Sequence, residues 1–123
     1  MFKRVLVVDD EPLMLRAMGR CLGAINAKIT LTSSVDEALA AIGAGVDLVI
    51  TDVHLAGRTG IEVARAAAAR HPKTPVIAVS AEASECERVA LGEAGIAALL
   101  SKPFTSSELI GVMQHISDLN AAT

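Results

Sequence analysis

The sequence contains almost no aromatic residues, few cysteines and no long apolar run. Phe2 and Phe104 are its only Phe, Tyr or Trp residues, so the core is expected to be aliphatic. Cys21 and Cys86 are far apart and form no CxxC pair, which favours two reduced thiols of a cytoplasmic protein over a disulfide or a thiolate metal site. The apolar stretch before Asp9 is four residues long. That is too short for a signal peptide or for the roughly 20 residues of a membrane span.

Charge and composition exclude further classes of function. The formal net charge is -3 and the sequence has no run of Lys and Arg, which argues against binding to nucleic acid or to an anionic membrane surface. The three histidines are scattered and do not predict a zinc site, and the D-x-D-x-D-G loop of a calcium site is absent. With 123 residues, 52% of them hydrophobic, the chain is expected to fold as one domain over residues 1–123.

Apolar strand patterns alternate with helical patterns five times along the chain. The strands are predicted at 4–8, 28–32, 47–51, 75–79 and 97–101. The helices are predicted at about 12–22, from Ser34 to about 43, from after Gly60 to His71, at about 84–94, and from Thr105 to about 119. Glu stands three residues after Ser34 and after Thr105, the spacing of a capping box at a helix start. This alternation predicts a parallel α/β sheet with right-handed crossovers.

Polar residues stand where the apolar strands end: Asp9 and Asp10 after the first, Asp52 after the third, Ser80 after the fourth and Lys102 after the fifth. Taken singly, these are commonplace helix caps, turn residues and solvated lysines. In a parallel sheet, however, the carboxyl ends of the strands share one edge, where ligands bind. Three carboxylates there repel one another and need a cation such as Mg²⁺, while a lysine and a hydroxyl suit a phosphoryl group. The pattern therefore predicts a magnesium-assisted phosphoryl acceptor.

These residues belong to four signatures that resemble the receiver domain of two-component response regulators, over nearly the whole chain. The signatures are Val7-Val8-Asp9-Asp10-Glu11-Pro12, Thr51-Asp52 with Gly60 eight residues on, Ser80-Ala81, and Lys102-Pro103-Phe104. Any one of them is weak, but all four in order, each at a strand end, are specific. The resemblance implies a flavodoxin-like fold, a three-layer (βα)5 sandwich with strand order 2-1-3-4-5 and a site beside strands 1 and 3. It also implies a cis peptide bond before Pro103.

The resemblance further implies a role for each site residue. Asp52 is expected to accept a phosphoryl group from a histidine kinase or a histidine phosphotransfer protein, with Ser80 and Lys102 binding the phosphoryl oxygens. His54 and Glu82, two residues beyond Asp52 and Ser80, are expected to influence the loss of phosphate. The implied ligands of Mg²⁺, for which Mn²⁺ could substitute, are Asp9, Asp10, Asp52 and the backbone carbonyl of His54.

Signalling in this family is by conformational change. Phosphorylation would alter the face formed by the fourth helix, the fifth strand and the fifth helix, and this face would contact an output partner or output domain. The chain would catalyse its own phosphorylation and dephosphorylation and no other reaction. Direct contact with nucleic acid or with a membrane is not expected.

Four positions depart from the family pattern. Leu55-Ala56 stands where the family usually has Met-Pro; the loss of that Pro loosens one loop constraint but removes no ligand. Thr59 stands where Asp or Asn often precedes the loop glycine. Leu99 occupies the position of the Tyr or Phe whose rotation usually accompanies phosphorylation. Because leucine exchanges no hydrogen bond and displaces less volume, we expect a muted change in the fifth strand and fifth helix.

Three alternatives use similar residues. A phosphatase of the haloacid dehalogenase type also places Asp, Ser or Thr, and Lys at strand ends, but it needs a second Asp two residues after its nucleophile, where this chain has His54. A nucleotide-binding Rossmann fold needs a glycine-rich first turn, and the turn here is Asp9-Asp10-Glu11-Pro12. An interaction module that never accepts phosphate stays open, although the complete set of site residues argues against it. The choice between a stand-alone receiver and part of a longer regulator also stays open.

Overall fold

A parallel sheet of five strands organises residues 2–121, which are the residues described in a computed structural model. The strands of the chain are β1 (Arg4–Val8), β2 (Lys28–Thr32), β3 (Leu48–Asp52), β4 (His54–Leu55), β5 (Arg58–Thr59), β6 (Val76–Ser80) and β7 (Ala98–Ser101). The helices are α1 (Pro12–Leu22), α2 (Val35–Ala44), α3 (Gly60–Arg70), α4 (Glu85–Glu93) and α5 (Ser106–Ala121). β4 and β5 form a separate hairpin, and the sheet order is β2-β1-β3-β6-β7. Without the hairpin this is the order 2-1-3-4-5, and the predicted fold class is confirmed.

Both faces of the sheet are covered, because its inner strands are apolar on both sides. Every residue of β3 and β6 is buried, and so is β1 after Arg4. Val5 and Val7 pack with apolar residues of α1 and α5, while Leu6 and Val8 pack with those of α2 and α3, as the alternation of a strand requires. Among the described residues the buried apolar side chains are all aliphatic or methionine, as predicted. In the same part of the chain, no helix has the length and hydropathy to span a bilayer.

β3 and β6 each begin and end one residue later than predicted. Asp47 lies outside the β3 ladder, and its carboxylate accepts two backbone N–H groups at the start of β1. β6 begins after Pro75, which has no N–H to donate. Asp52 and Ser80 are therefore the last residues of their strands, held by ladder pairing, and do not belong to the loops that follow.

The hairpin of β4 and β5 is missing from the prediction made from sequence. Each of its strands has two residues, too few to produce an alternating pattern. Its turn uses Gly57 with a φ of 71°, a left-handed conformation that favours glycine. The hairpin pairs His54 with Thr59. The chain thus turns back directly after Asp52 and begins α3 beside the end of β3.

Capping boxes begin several helices at the carboxyl edge of the sheet. Thr105 and Glu108 exchange the two predicted hydrogen bonds, each 3.1 Å long. Ser34 accepts the N–H of Glu37 as predicted, but the Glu37 carboxylate binds the N–H of Ser33 and not that of Ser34. Two boxes outside the prediction are Thr59 with Glu62 and Ser84 with Glu87. Each box satisfies backbone donors that a helix start leaves free, and so anchors the loop that precedes it.

Gly60 begins α3 at a very close approach between that helix and β3. Its N–H donates to the carbonyl of Val53 at 2.8 Å, and an ideal Cβ at this position would lie 2.1 Å from the carbonyl oxygen of Asp52. That separation is far inside van der Waals contact, and the obstructing atom belongs to the backbone of a buried strand. Glycine is therefore required for α3 to start next to Asp52.

Replacing Gly60 with alanine is expected to lower the free energy of unfolding by about 1–3 kcal/mol, the usual cost of forcing extra atoms into a packed site. The control is Gly111→Ala in α5, where an added Cβ meets nothing within 4 Å. This control should leave stability unchanged or raise it by up to about 1 kcal/mol. Urea denaturation measures both effects. Equal midpoints for Gly60→Ala and the parent protein would contradict the close approach.

Candidate functional site

The carboxyl edge of the sheet gathers three aspartates. Asp52 ends β3, while Asp9 and Asp10 follow β1, the neighbouring strand. Oxygen atoms of the three carboxylates all lie within 4.8 Å of one another. Asp9 is 4% exposed and Asp52 is 8% exposed, so water screens their repulsion only partly. The sequence predicted this convergence, and the fold brings all three residues together.

Lys102 supplies a positive charge to this cluster. It follows β7, and its Nζ lies 2.8 Å from Asp52 Oδ2 and 3.4 Å from Asp9 Oδ2. Its backbone N–H donates to the Ser80 carbonyl at 2.9 Å, and the peptide bond to Pro103 is cis. One ammonium group thus contacts two of the three carboxylates.

Backbone N–H groups orient the three carboxylates. The donors are the N–H of Glu11 to Asp9 Oδ1 at 2.9 Å, of His54 to Asp52 Oδ1 at 3.1 Å, and of Ala56 to Asp10 Oδ2 at 2.9 Å. All three belong to the segments that directly follow β1 and β3. The conformation of these segments therefore determines where each carboxylate points.

Burial and charge change the pKa of two of these groups. Burial of the carboxyl, with a smaller contribution from the charge of Asp52, raises the pKa of Asp9, although the Glu11 N–H and the Lys102 ammonium oppose this shift. For Lys102, burial works against the ammonium form, but the hydrogen bond and attraction to Asp52 and the attraction to Asp9 outweigh burial and raise its pKa. Lys102 is therefore charged at neutral pH.

Ser80 ends β6 next to β3 and is 3% exposed. Its Oγ accepts the backbone N–H of Glu82 at 3.1 Å, and this bond does not use the hydroxyl proton. Ser80 therefore takes the place at the sheet edge that the sequence predicted. Glu82 is exposed and is tied to Ser80 through its backbone.

Two contacts near the site were not predicted from sequence. The His54 ring, expected to matter only for the loss of phosphate, lies with Nε2 2.5 Å from Glu87 Oε2. Thr51 Oγ1 donates to the Asp52 carbonyl at 2.9 Å. The spacing of Ser84 and Glu87 was the signal that could have identified Glu87, because it is the spacing of a capping box.

A family model described as the response regulator receiver domain matches residues 5–114. The chain belongs to this family. Receiver domains are signalling domains of two-component systems, so the predicted family and its function in signal transduction are confirmed.

Several known proteins are similar to this receiver domain. The transcriptional regulatory protein ResD of Bacillus subtilis is 35% identical over 108 residues, covering 87% of this chain and 45% of that protein. The transcriptional regulatory protein TcrA of Mycobacterium tuberculosis is 32% identical over 115 residues, covering 93% of this chain and 46% of that protein. The chain thus spans about half the length of the curated relatives it matches. A CheY-like receiver domain protein from Methanospirillum hungatei has the same fold, with a TM-score of 0.91 at 24% identity over the full length of both chains.

Replacing Lys102 with methionine keeps a long side chain but removes the ammonium group between Asp9 and Asp52. In EDTA at about pH 7, we expect the free energy of unfolding to fall by about 3 kcal/mol, the lower end for breaking a buried ion pair. The raised pKa of Lys102 means that its stabilising contribution is complete below the unfolded pKa of about 10.4 and is lost only as the pH rises through the folded pKa. At pH 7 the Lys102→Met substitution should therefore remove the whole stabilising contribution of the ammonium group.

The size of this loss should depend on pH through Asp9. Because its folded pKa is raised, the folded state loses stability as the pH rises from the unfolded pKa, about 3.9, through the folded value. Without Lys102 that pKa should rise further, so the loss should be larger at about pH 7 than at about pH 4. The exposed Lys73→Met is the control and should change little at either pH. Denaturation curves that show an equal loss at both pH values would contradict this account.

Proposed function

We propose that Asp52 accepts a phosphoryl group from a phosphohistidine of a histidine kinase or a histidine phosphotransfer protein. The observation that carries this proposal is the convergence of Asp9, Asp10 and Asp52 within 4.8 Å, with Lys102 Nζ 2.8 Å from Asp52. A carboxylate in such a position can act as a nucleophile, while the ammonium group beside it attracts the phosphoryl oxygens.

The reaction that fits these residues is an in-line displacement at phosphorus. A carboxylate oxygen of Asp52 forms the new P–O bond while the P–N bond to the donor imidazole breaks, and the imidazole keeps the electron pair and takes up a proton. Lys102 is placed to attract the phosphoryl oxygens, since its Nζ already contacts the attacking carboxylate. Ser80 has a hydroxyl proton to donate to another of these oxygens. In dephosphorylation a water oxygen attacks phosphorus and gives up a proton while the P–O bond to Asp52 breaks, which releases inorganic phosphate and restores the carboxylate.

The same residues suit a magnesium ion. Asp9, Asp10, Asp52 and the backbone carbonyl of His54 would hold Mg²⁺, with Mn²⁺ as a possible substitute, and all four supply the hard oxygen ligands that Mg²⁺ prefers. The three carboxylate oxygens are close enough to share one ion. When bound, the ion would neutralise charge on the phosphoryl oxygens and on the aspartates. Lys102 alone balances only one of three negative charges.

We further propose an extent for the domain and a face for its partner. The whole chain, residues 1–123, would be a single receiver domain that catalyses only its own phosphorylation and dephosphorylation. Its output partner or output domain would dock on the face of α4, β7 and α5. An apolar groove of about 630 Å³ between β7 and α5 supports the β7 and α5 part of this face; it is lined by Leu100, Val112, Ile116 and Leu119 among others. A cytoplasmic location fits the free thiols of Cys21 and Cys86.

Acetyl phosphate should add one phosphoryl group to the protein when Mg²⁺ is present, and mass spectrometry should locate it on Asp52. Asp52→Asn removes the nucleophile and should abolish the addition. Asp118→Asn, a change at an exposed aspartate of α5, is the matched control and should be phosphorylated like the parent protein. Phosphorylation that persists in Asp52→Asn, or in excess EDTA, would refute the assignment. Absence of phosphorylation in the parent protein would favour an interaction module that takes no phosphate.

Magnesium should also stabilise the folded protein without any phosphoryl donor, because it relieves the repulsion among the three aspartates. At a concentration tenfold above its Kd, the ion should add about 1.4 kcal/mol to the free energy of unfolding and raise Tm by several degrees. Asp10→Ala should reduce this rise, because it removes one ligand. Asp36→Ala, a change at an exposed aspartate in α2, should not. Thermal denaturation with and without Mg²⁺ makes the comparison, and a Tm indifferent to Mg²⁺ would contradict the site.

A further inference from the structure

Glu87 lies in the first turn of α4, and its carboxylate makes two separate contacts. Oε1 accepts the backbone N–H of Ser84 at 2.9 Å, which completes the capping box of α4. Oε2 lies 2.5 Å from Nε2 of the His54 ring. One side chain therefore joins the start of α4 to the loop that follows Asp52.

His54 is held on its other side by the phosphoryl site. Its backbone N–H donates to Asp52 Oδ1 at 3.1 Å, and two residues later the N–H of Ala56 donates to Asp10 Oδ2 at 2.9 Å. The segment thus connects two of the site carboxylates with α4 through a continuous set of hydrogen bonds. The link ends at Glu87.

The usual aromatic connection between the site and the far strand is missing in this chain. Leu99 is half-buried and packs with the apolar cluster of Val53, Ala78 and Leu91, where it has no polar group to exchange a hydrogen bond. The contact between His54 and Glu87 is a polar link that this chain does possess. This link connects the segment after Asp52 with α4, the helix that also contributes Leu91 to the apolar cluster around Leu99.

We propose that Glu87 is a positioning residue for the phosphoryl site, which through His54 holds the loop after Asp52 in its present arrangement and so opposes phosphoryl and metal binding. This inference rests on the proposed function of Asp52. The contact between Nε2 and Oε2 joins the two segments in their present positions. Movement of the His54 loop toward a metal ion, or of the loop after Ser80 toward a phosphoryl group, would lengthen it. The contact therefore stabilises the present arrangement more than the one with the site filled.

Thermodynamic linkage means that this contact should change the measurable affinity of the site for its ligands. If filling the site weakens the contact, the contact must weaken filling of the site by the same factor. The two side chains are 58% and 25% exposed, so an effect of about two- to fivefold is expected, the range of a solvent-exposed ion pair. Beryllofluoride with Mg²⁺ is a suitable probe, because it mimics a phosphoryl group on aspartate without covalent turnover.

The test is a double-mutant cycle on the affinity for Mg²⁺ at a fixed, saturating beryllofluoride concentration, followed by amide NMR shifts because the chain has no Trp or Tyr. His54→Ala removes the ring and keeps the backbone carbonyl. Glu87→Ala removes both contacts of the carboxylate. Each single variant should bind about two- to fivefold more tightly than the parent, and the double variant no more tightly than the singles.

Two further variants separate positioning from helix capping. Ser84→Ala loses the hydroxyl that caps the Glu87 N–H but keeps the Glu87 side chain. It should lower Tm without changing the affinity. Glu87→Gln can still accept the Ser84 N–H and donate to the His54 ring, so it should restore affinity close to that of the parent. A Glu87→Ala effect that Ser84→Ala reproduces would assign the effect to capping and overturn the proposal.

The remaining outcomes are also decisive. Weaker binding by His54→Ala and Glu87→Ala, or effects that simply add in the double variant, would show that the contact does not oppose filling of the site. If the parent protein binds Mg²⁺ and beryllofluoride normally, such results overturn only the role of Glu87. If the parent protein shows no binding, the proposed function of Asp52 fails, and the inference about Glu87 fails with it.

Discussion

The site depends on one ammonium group placed against two buried carboxylates. Lys102 contacts Asp52 at 2.8 Å and Asp9 at 3.4 Å, and the carboxylate of Asp10 lies within 4.8 Å of the other two. In a partly buried position both attraction and repulsion are stronger than in water, because the effective dielectric constant is lower. One positive charge offsets only part of the repulsion among three negative charges. The site therefore keeps an excess of negative charge, which suits a divalent cation.

Such a cluster keeps its shape only where the surrounding backbone is firmly held. Ladder pairing holds Asp52 and Ser80 at the ends of β3 and β6, and the absence of a side chain at Gly60 allows α3 to start directly behind Asp52. Backbone N–H groups in the loops then orient each carboxylate. The repulsion among the three aspartates costs stability, and the packing of the sheet beneath them offsets that cost.

Two sets of contacts connect the end of β3 with α4. The first involves Leu99, which stands where this family usually has an aromatic residue and which packs among apolar neighbours. A second route begins at Asp52, passes through His54 and reaches Glu87 at the start of α4. The first route consists of apolar packing and the second of hydrogen bonds. The two kinds of contact therefore respond differently when the atoms at the site move. A hydrogen bond has a preferred distance and angle, whereas the dispersion contacts of a leucine are individually weak and not directional.

The sequence by itself determined the order of elements, the apolar strands and the residues at their ends. A strand covered on both faces must be apolar throughout, so β1, β3 and β6 are visible as short apolar runs, and Asp9, Asp52 and Ser80 stand out where those runs stop. Local patterns could not show the two-residue hairpin of β4 and β5, the one-residue shift of β3 and β6, or the partner of the Glu37 carboxylate.

Only the tertiary structure decided which distant side chains meet. Lys102 and Asp9 are separated by 93 positions, and His54 and Glu87 by 33. Strand order brings the first pair to one edge of the sheet, and the packing of α4 beside the loop after Asp52 brings the second pair together. Distances of this kind depend on the register of every strand between the two residues, and no short stretch of sequence contains that information.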